Sequence, residues 1–324
     1  MIGFLWKGII RDRSRSLFPV LIVAAGVALT VFMHAYIHGA IGMMIGATAH
    51  FQTGHVRVTT IAYGREADQI PNDLALIGVD TLLSALRKEF SDAVWTPRIR
   101  FGGLLDVPDE QGETKFQSPV AGIGVDLFSA DSAERRILNI DQAIVRGSFP
   151  SRAGEILLAD DLARRLLLEP GATATLIGST MYGSMTTANM IVAGTVRFGV
   201  SAMDRGMIIA DIGDIQQVLD MENAAGEIVG FLADDRYDDI TASTMAQQFN
   251  AHRTATADEF APVMTTLRNS SGMAEYLDLI DIFGFIVVGI FIGAMSIVLW
   301  NNGLTGSLRR YGEIGVRIAI GEEK

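Results

Sequence analysis

Two stretches of this chain carry no formal charge, and they lie near its two ends. From Leu17 to Val56, and again from Ile282 to Leu308, there is no Asp, Glu, Lys or Arg. The most apolar part of the first, Leu17 to about Ile41, can cross a bilayer as one helix, and so can the second run. The hydrocarbon core needs about 20 apolar residues. This constrains the fold more than any other feature, because the residues between two such spans must fold together on one side of a membrane. A hydrophobic content of 49% and a mean hydropathy of +0.31 agree with it.

The first run has a second reading, a cleaved secretory signal, since MIGFLWKGIIRDRSRS is a short basic amphipathic lead. The apolar part exceeds the usual signal core of about 7–15 residues, and His38-Gly39-Ala40 is a poor cleavage site, so an uncleaved anchor is expected. Orientation follows from the basic flanks. Arg11, Arg13 and Arg15 precede the first span, and Arg309 and Arg310 follow the second. Positive flanks mark the cytoplasmic side, so both ends are expected inside and residues from about 50 to 275 outside. In a Gram-negative cell that places them in the periplasm, anchored in the inner membrane.

The charge of −11 is unevenly placed: residues 1–16 carry +3 and residues 282–324 carry +1, leaving −15 between. An acidic body of this kind excludes a nucleic-acid partner, which needs clustered Lys and Arg. The absence of cysteine excludes disulfides, thiol catalysis and thiolate metal sites. His34 and His38, four apart in the first span, have a spacing that can hold a metal, but no carboxylate in the span completes a site. No metal is expected, and the pair reads as polar residues facing a bundle or interface.

The outer region reads as mixed α and β. His55–Thr60 alternates like a strand, and Asp80 reads as the N-cap of a helix running to Phe90. Val94–Leu105 is rich in strand formers but broken on paper by Pro97 and Gly102-Gly103. Strands are expected at 119–125, 154–159, 172–177, 187–196, 206–210 and 228–233. Helices are expected at about 129–138, 160–168, 212–221 and 241–252. From Met264 the chain reads as leading back to the membrane. In the spans, Gly42 with Gly46 and Gly289 with Gly293 have the GxxxG spacing that lets helices approach closely. Met33, Met43 and Met44, with Phe283 and Phe291, are candidates for lining a cavity for acyl chains, since Met adapts to variable apolar shapes. No Ser/His/Asp triad can be read from spacing, and no G-x-x-x-x-G-K-[ST] phosphate cradle occurs.

The segment directly after the second span reads Glu313-Ile314-Gly315-Val316-Arg317-Ile318-Ala319-Ile320-Gly321. It resembles the E-I-G-[IV]-R-x-A-[IL]-G segment of ABC-transporter permeases of the macrolide-exporter and lipoprotein-releasing type, the FtsX-like, type VII mechanotransmission exporters. Arg146-Gly147-Ser148-Phe149, the Glu155–Ala163 run and Pro170-Gly171 are similar to that family's outer-domain pattern. Thr53-Gly54-His55-Val56 is similar to lipoprotein-releasing members. The chain departs from the family in ending at Lys324, after two spans where members have four, so it is read as truncated after the second. Glu322 also stands where a small residue is usual.

The resemblance implies an α+β extracytoplasmic domain, a porter-like unit plus an inserted mixed α/β unit, between two transmembrane α-helices. The implied layout is a cytoplasmic lead (1–16), transmembrane helix 1 with its periplasmic extension (17–49) and a periplasmic core (50–275). Within that core the porter-like unit takes 50–115 and 228–275 and the inserted unit 116–227. Transmembrane helix 2 (276–304) and a cytoplasmic coupling helix (305–324) follow. It further implies a subunit that is not an enzyme and holds no cofactor, with ATP and Mg on a separate ATPase dimer. Arg309, Arg310, Glu313, Ile314, Gly315, Val316, Arg317, Ala319 and Gly321 would dock on that ATPase. Other implied partners are a second permease subunit, the same or different, the bilayer, and a periplasmic carrier or adaptor protein. The competing reading is a two-span receptor with an outer ligand-sensing domain, and the short Glu-Ile-Gly segment favours transport over it.

Overall fold

A computed structural model describes residues 13–109, 111–251, 258–270 and 273–321. The lead expected at 1–16 lies outside the described residues up to residue 12. The chain divides into two compact units, one made of the N-terminal part to Met44 with the part from Gly272 onward, the other of Ile45–Ser271.

The first unit starts with α1 (Arg13–Thr48), a 36-residue helix. One π-helical turn, Ala49–Thr53, follows it. The second unit, labelled the outer unit for the side of the membrane expected from its sequence, continues with β1 (Val56–Thr60), α2 (Ile61–Arg65), β2 (Leu76–Ile77), α3 (Val79–Glu89), β3 (Ala93–Pro108) and β4 (Thr114–Val125). Next come α4 (Glu134–Ile137), α5 (Ile140–Ala143), β5 (Ile144–Gly147), β6 (Glu155–Ala159), α6 (Asp160–Arg165), β7 (Thr173–Ser179) and β8 (Met185–Val196). It ends with α7 (Ser201–Asp204), β9 (Met207–Asp211), α8 (Ile212–Val218), β10 (Ala224–Ala225), β11 (Glu227–Leu232), α9 (Asp239–Ala251) and β12 (Pro262–Thr266). Returning to the first unit, α10 (Met273–Ala319) is one 47-residue helix, about 70 Å long at 1.5 Å per residue. Two windows pass as membrane spans, Val20–Thr53 with mean hydropathy 2.2 and Gly284–Asn301 with 2.1.

Within the outer unit, β12, β1, β11 and the first half of β3 form an antiparallel sheet. Side chains alternate between the faces of a strand. One face carries Val56, Val58, Trp95, Ile99, Ile228 and Met264, which share a core with Leu86 of α3 and Ala242 and Phe249 of α9. The other face carries Arg57, Thr59, Arg98, Arg100 and Glu227, and it too is covered.

The second half of β3 enters a different structure. β3 pairs β4, β4 pairs β9, β9 pairs β6, β6 pairs β8, β8 pairs β7, and β7 returns to β3. Six strands thus close into a small barrel, with β5 added on β8. Phe101 stands directly opposite Gly122, and a Cβ at Gly122 would fall in the Phe101 ring. Ile123, Leu157, Val196 and Ile209 form a second cluster with Leu138 and Ile140 of the α4–α5 connection. Asp160, fully buried at the start of α6, braces the barrel. It accepts from Arg146 Nε (2.9 Å), Thr195 Oγ1 (2.9 Å), Arg164 Nε (3.0 Å) and Arg197 Nη2 (2.8 Å).

Several expectations are corrected. β3 runs unbroken through Pro97 and Gly102-Gly103. Pro97 precedes the point at Ile99 where β4 joins, so its missing N–H interrupts no ladder on that side. Gly103 lets β7 come alongside, since a Cβ there would lie 2.5 Å from the Ile177 carbonyl. The helix at 129–138 shrinks to α4, because Asp126, Ser129 and Ser132 form side-chain-to-backbone bonds that compete with helix. Asp80 is not the N-cap of α3: Gly78, at φ +70, holds that position and Asp80 sits in the first turn. β5 and β12 are strands the alternation did not reveal. α10 shows no break at 304–305 between the expected span and coupling helix.

Candidate functional site

The outer unit concentrates its most constrained chemistry at the residues immediately after α1. Gly54 ends the π-helical turn at φ +64 and donates its N–H to the Ala49 carbonyl (2.8 Å). A side chain there would meet the Val56 carbonyl at 2.8 Å and Val229 Cβ at 2.9 Å, so only glycine fits, by both dihedral and space. The chain then enters β1 in register with β11. His55 donates its backbone N–H to Gly230 O (2.9 Å), and its ring Nδ1 accepts from the Leu232 N–H (3.0 Å). That acceptor role requires an unprotonated Nδ1. Burial drives the His55 pKa down to about 4, against the charge of Asp235 and with that of His50 adding to it.

Arg98, fully buried in β3, clamps this turn. Its Nη1 donates to the His50 carbonyl (2.6 Å), while Nε and Nη2 fork onto Glu134 of α4 at 2.7 and 2.8 Å. Glu134 is fully buried as well. Paired, bidentate and charge-assisted bonds are the form in which a buried guanidinium is tolerable. The guanidinium also lies 5.4 Å from the centre of the Phe231 ring. On the outer side the His50 ring meets the Asp235 carboxylate at 3.0 Å. Phe51 packs edge-on to Phe198 (4.8 Å) and onto the second cluster of the barrel. Residues 50, 51 and 55 therefore touch the first sheet and the barrel within six positions, and Arg98 ties residue 50 to α4.

Beside the clamp lies a looser group. Fully buried Glu227 is 3.5 Å from Arg57 Nη1 and 3.5 Å from Arg100 Nε. Glu227 Oε1, Arg57 Nε, Arg100 Nε and the Tyr63 hydroxyl are buried without a hydrogen-bond partner. Burial, with the nearby Glu227 charge, pushes the Tyr63 phenol up to about 12, so it stays neutral.

The residues singled out from sequence fall elsewhere. Arg309, Arg310, Glu313, Ile314, Gly315, Val316, Arg317 and Ala319 all lie on α10, and Gly321, at φ +91, follows its end. The side chains of Arg309, Arg310, Glu313, Ile314 and Arg317 lie outside the description, whereas Val316 is well exposed. Gly42, Gly46, Gly289 and Gly293 have open space where a Cβ would stand, so they mark no close approach within the chain. The close approach is at Gly26, where a Cβ would lie 2.6 Å from Met295 Sδ. Met43 and Met44 are exposed and Met33 and Phe291 half-buried, and Phe283's side chain lies outside the description. The crevice of this unit is lined by Thr30, His34, Ile37, His38, Gly284, Val287 and Val288. The His34 and His38 rings lie 4.1 Å apart, tilted by 42°, and among the described residues no three His, Asp or Glu gather as a metal site. Sequence reasoning missed Arg98, Glu134 and Glu227. The available signal was Arg98 and Arg100 alternating with Ile99 and Phe101, which puts charges on one face of a strand whose other face is core.

No family model matches this chain, and no curated protein matches it. Among solved structures it is similar to the periplasmic region of MacB from Actinobacillus actinomycetemcomitans, with a TM-score of 0.46 and 11% identity, covering 70% of this chain and 94% of that one.

Proposed function

We propose that the chain is the membrane-spanning permease subunit of an ABC transporter. The observation that carries this reading is α10: the segment that resembles the family's ATPase-docking motif, Glu313–Gly321, continues the same helix as the second apolar window. In this reading the helix is held by the bilayer over Gly284–Asn301 and presents its last turns to a cytoplasmic ATPase dimer, where ATP and Mg are bound. The arginines pair with carboxylates on that partner, and the outer unit responds to the motion. A second permease subunit completes the transporter in the inner membrane, and a periplasmic carrier or adaptor receives the cargo. Substrate enters from the membrane or the periplasmic side, and a lipoprotein is the cargo suggested by the Thr53–Val56 similarity. The subunit itself does no chemistry.

The test is capture of the full-length protein together with an ABC ATPase encoded nearby. The complex is expected to survive purification and to be lost in the Arg310→Glu/Arg317→Glu variant. If charge reversal left the complex intact, the docking assignment would be wrong. If no ATPase co-purified with a folded, membrane-inserted chain, the permease reading itself would fall.

A further inference from the structure

We propose that Arg98 is a two-seat latch: Glu134 holds it in the arrangement described, and Glu227 is its second seat, occupied when α4 and the π-helical turn move off the sheet. This does not depend on the transporter reading.

Four observations carry it. First, the register places Arg98 directly opposite Glu227 on neighbouring strands. Opposed residues point to one face with Cβ atoms about 4.5–5.5 Å apart, so a change of rotamer brings the guanidinium to that carboxylate without moving the backbone. Second, Glu227 is unfinished as an acceptor. It is fully buried, its ion pairs with Arg57 and Arg100 are both 3.5 Å long, and Oε1 accepts no hydrogen bond. A guanidinium fork is the group that would complete it. Third, everything that holds Arg98 in its present seat comes from segments lying over the sheet. Glu134 belongs to α4, and the His50 carbonyl belongs to the turn after α1. Fourth, this face presents Arg57, Arg98 and Arg100 to Glu227 and Glu134, three cations to two anions. With Arg98 on Glu134, Arg57 and Arg100 share Glu227; with Arg98 on Glu227 all three share it while Glu134 leaves with α4 into solvent, which gives two discrete arrangements of the kind a switch requires.

The consequence is specific. With Arg98 on Glu134, the residues after α1 are fastened to β3 and α4 together. With Arg98 on Glu227, its bonds to the His50 carbonyl and to α4 are given up, while Arg98 stays paired across β3 and β11.

Amide hydrogen exchange on the full-length chain in nanodiscs tests this with the cycle Glu134→Gln, Glu227→Gln and the double variant. In Glu134→Gln the latch predicts roughly tenfold faster exchange over 49–55, with protection of β3 and β11 retained because Arg98 reseats. Adding Glu227→Gln to that background should strip β3 and β11 of protection by far more than the product of the single effects. Strictly multiplicative effects, or loss of β3 and β11 protection already in Glu134→Gln, would overturn the second seat. Should Glu134→Gln not fold, Glu134→Asp keeps the charge one methylene further away. The same cycle then supports the latch if it is non-multiplicative and refutes it if it is not.

Discussion

Two of the arginine networks in the outer unit are built to opposite plans. Around Asp160, one buried carboxylate gathers Arg146, Arg164 and Arg197, all within the barrel's own segment of chain, and Arg164 and Arg197 keep much of their surface in water. Around Arg98, one buried cation gathers a carboxylate from α4 and a carbonyl from the turn after α1, and every charge in the clamp is fully enclosed. The Asp160 network braces one piece of structure, with partners that solvent can replace. The Arg98 network joins pieces distant in sequence, with partners that solvent cannot replace. Loss of a member should therefore cost unequal amounts.

The largest effect is expected from Arg98→Met. It leaves Glu134 buried and unpaired and frees the His50 carbonyl, a loss of about 3–5 kcal/mol that thermal unfolding of the outer unit would register. Acidification should weaken the joint next. His55 is neutral in the fold with a pKa near 4, against an ordinary value of about 6.5. Its contribution is complete above pH 6.5 and drains away as the pH falls toward 4, by up to roughly 3 kcal/mol. Comparing the pH slope of unfolding with that of His55→Asn, which keeps an acceptor that does not titrate, isolates this component. Asp160→Asn should cost less, about 2 kcal/mol, because Arg164 and Arg197 can turn to water. Burial works to raise the Asp160 pKa, but bonds from Thr195 and Arg146 and the charge of Arg164 hold it below the ordinary value. Wild-type stability from this group is thus present above the ordinary Asp range and lost as the pH falls through the folded value, and Asp160→Asn should flatten that limb. The smallest effect is expected at the exposed pair Arg135–Asp141 (2.7 Å), where Asp141→Asn should leave the melting curve where it was. If Asp160→Asn proved as damaging as Arg98→Met, the contrast between bracing and joining would fail.

Much of the strand content of the outer unit was legible in the sequence, and the reason is local. Glu155–Ala159, Met207–Asp211 and Glu227–Leu232 are short apolar runs bounded by turn residues, so the strands nearly announce themselves. The joint was not legible, because its members come from residues 50, 98 and 134 and each looks ordinary alone. Arg98 reads as a surface residue in a strand until both faces of the sheet are known to be covered. β12 was hidden for a related reason. Pro262 opens it, which suits the first residue of an edge strand but removes the sequence signal for one. Gly54 belonged to a noticed motif, yet only the positive φ and the nearness of Val229 explain why no other residue fits.

The unbroken course of α10 has a further consequence. Over Gly284–Asn301 a hydrocarbon environment would compel helix, since an unpaired backbone group has no water to turn to. Beyond it the same helix passes through Gly303, Gly306, Gly312 and Gly315 before Gly321 stops it. Each glycine costs about 1 kcal/mol relative to alanine in a helix interior, and Gly303, Gly312 and Gly315 have no neighbouring atom in contact range to offset this. With Gly284–Asn301 held in hydrocarbon, as proposed, the final third of α10 is its softest part, where a sideways load would be absorbed as bending before any apolar residue is drawn out of lipid.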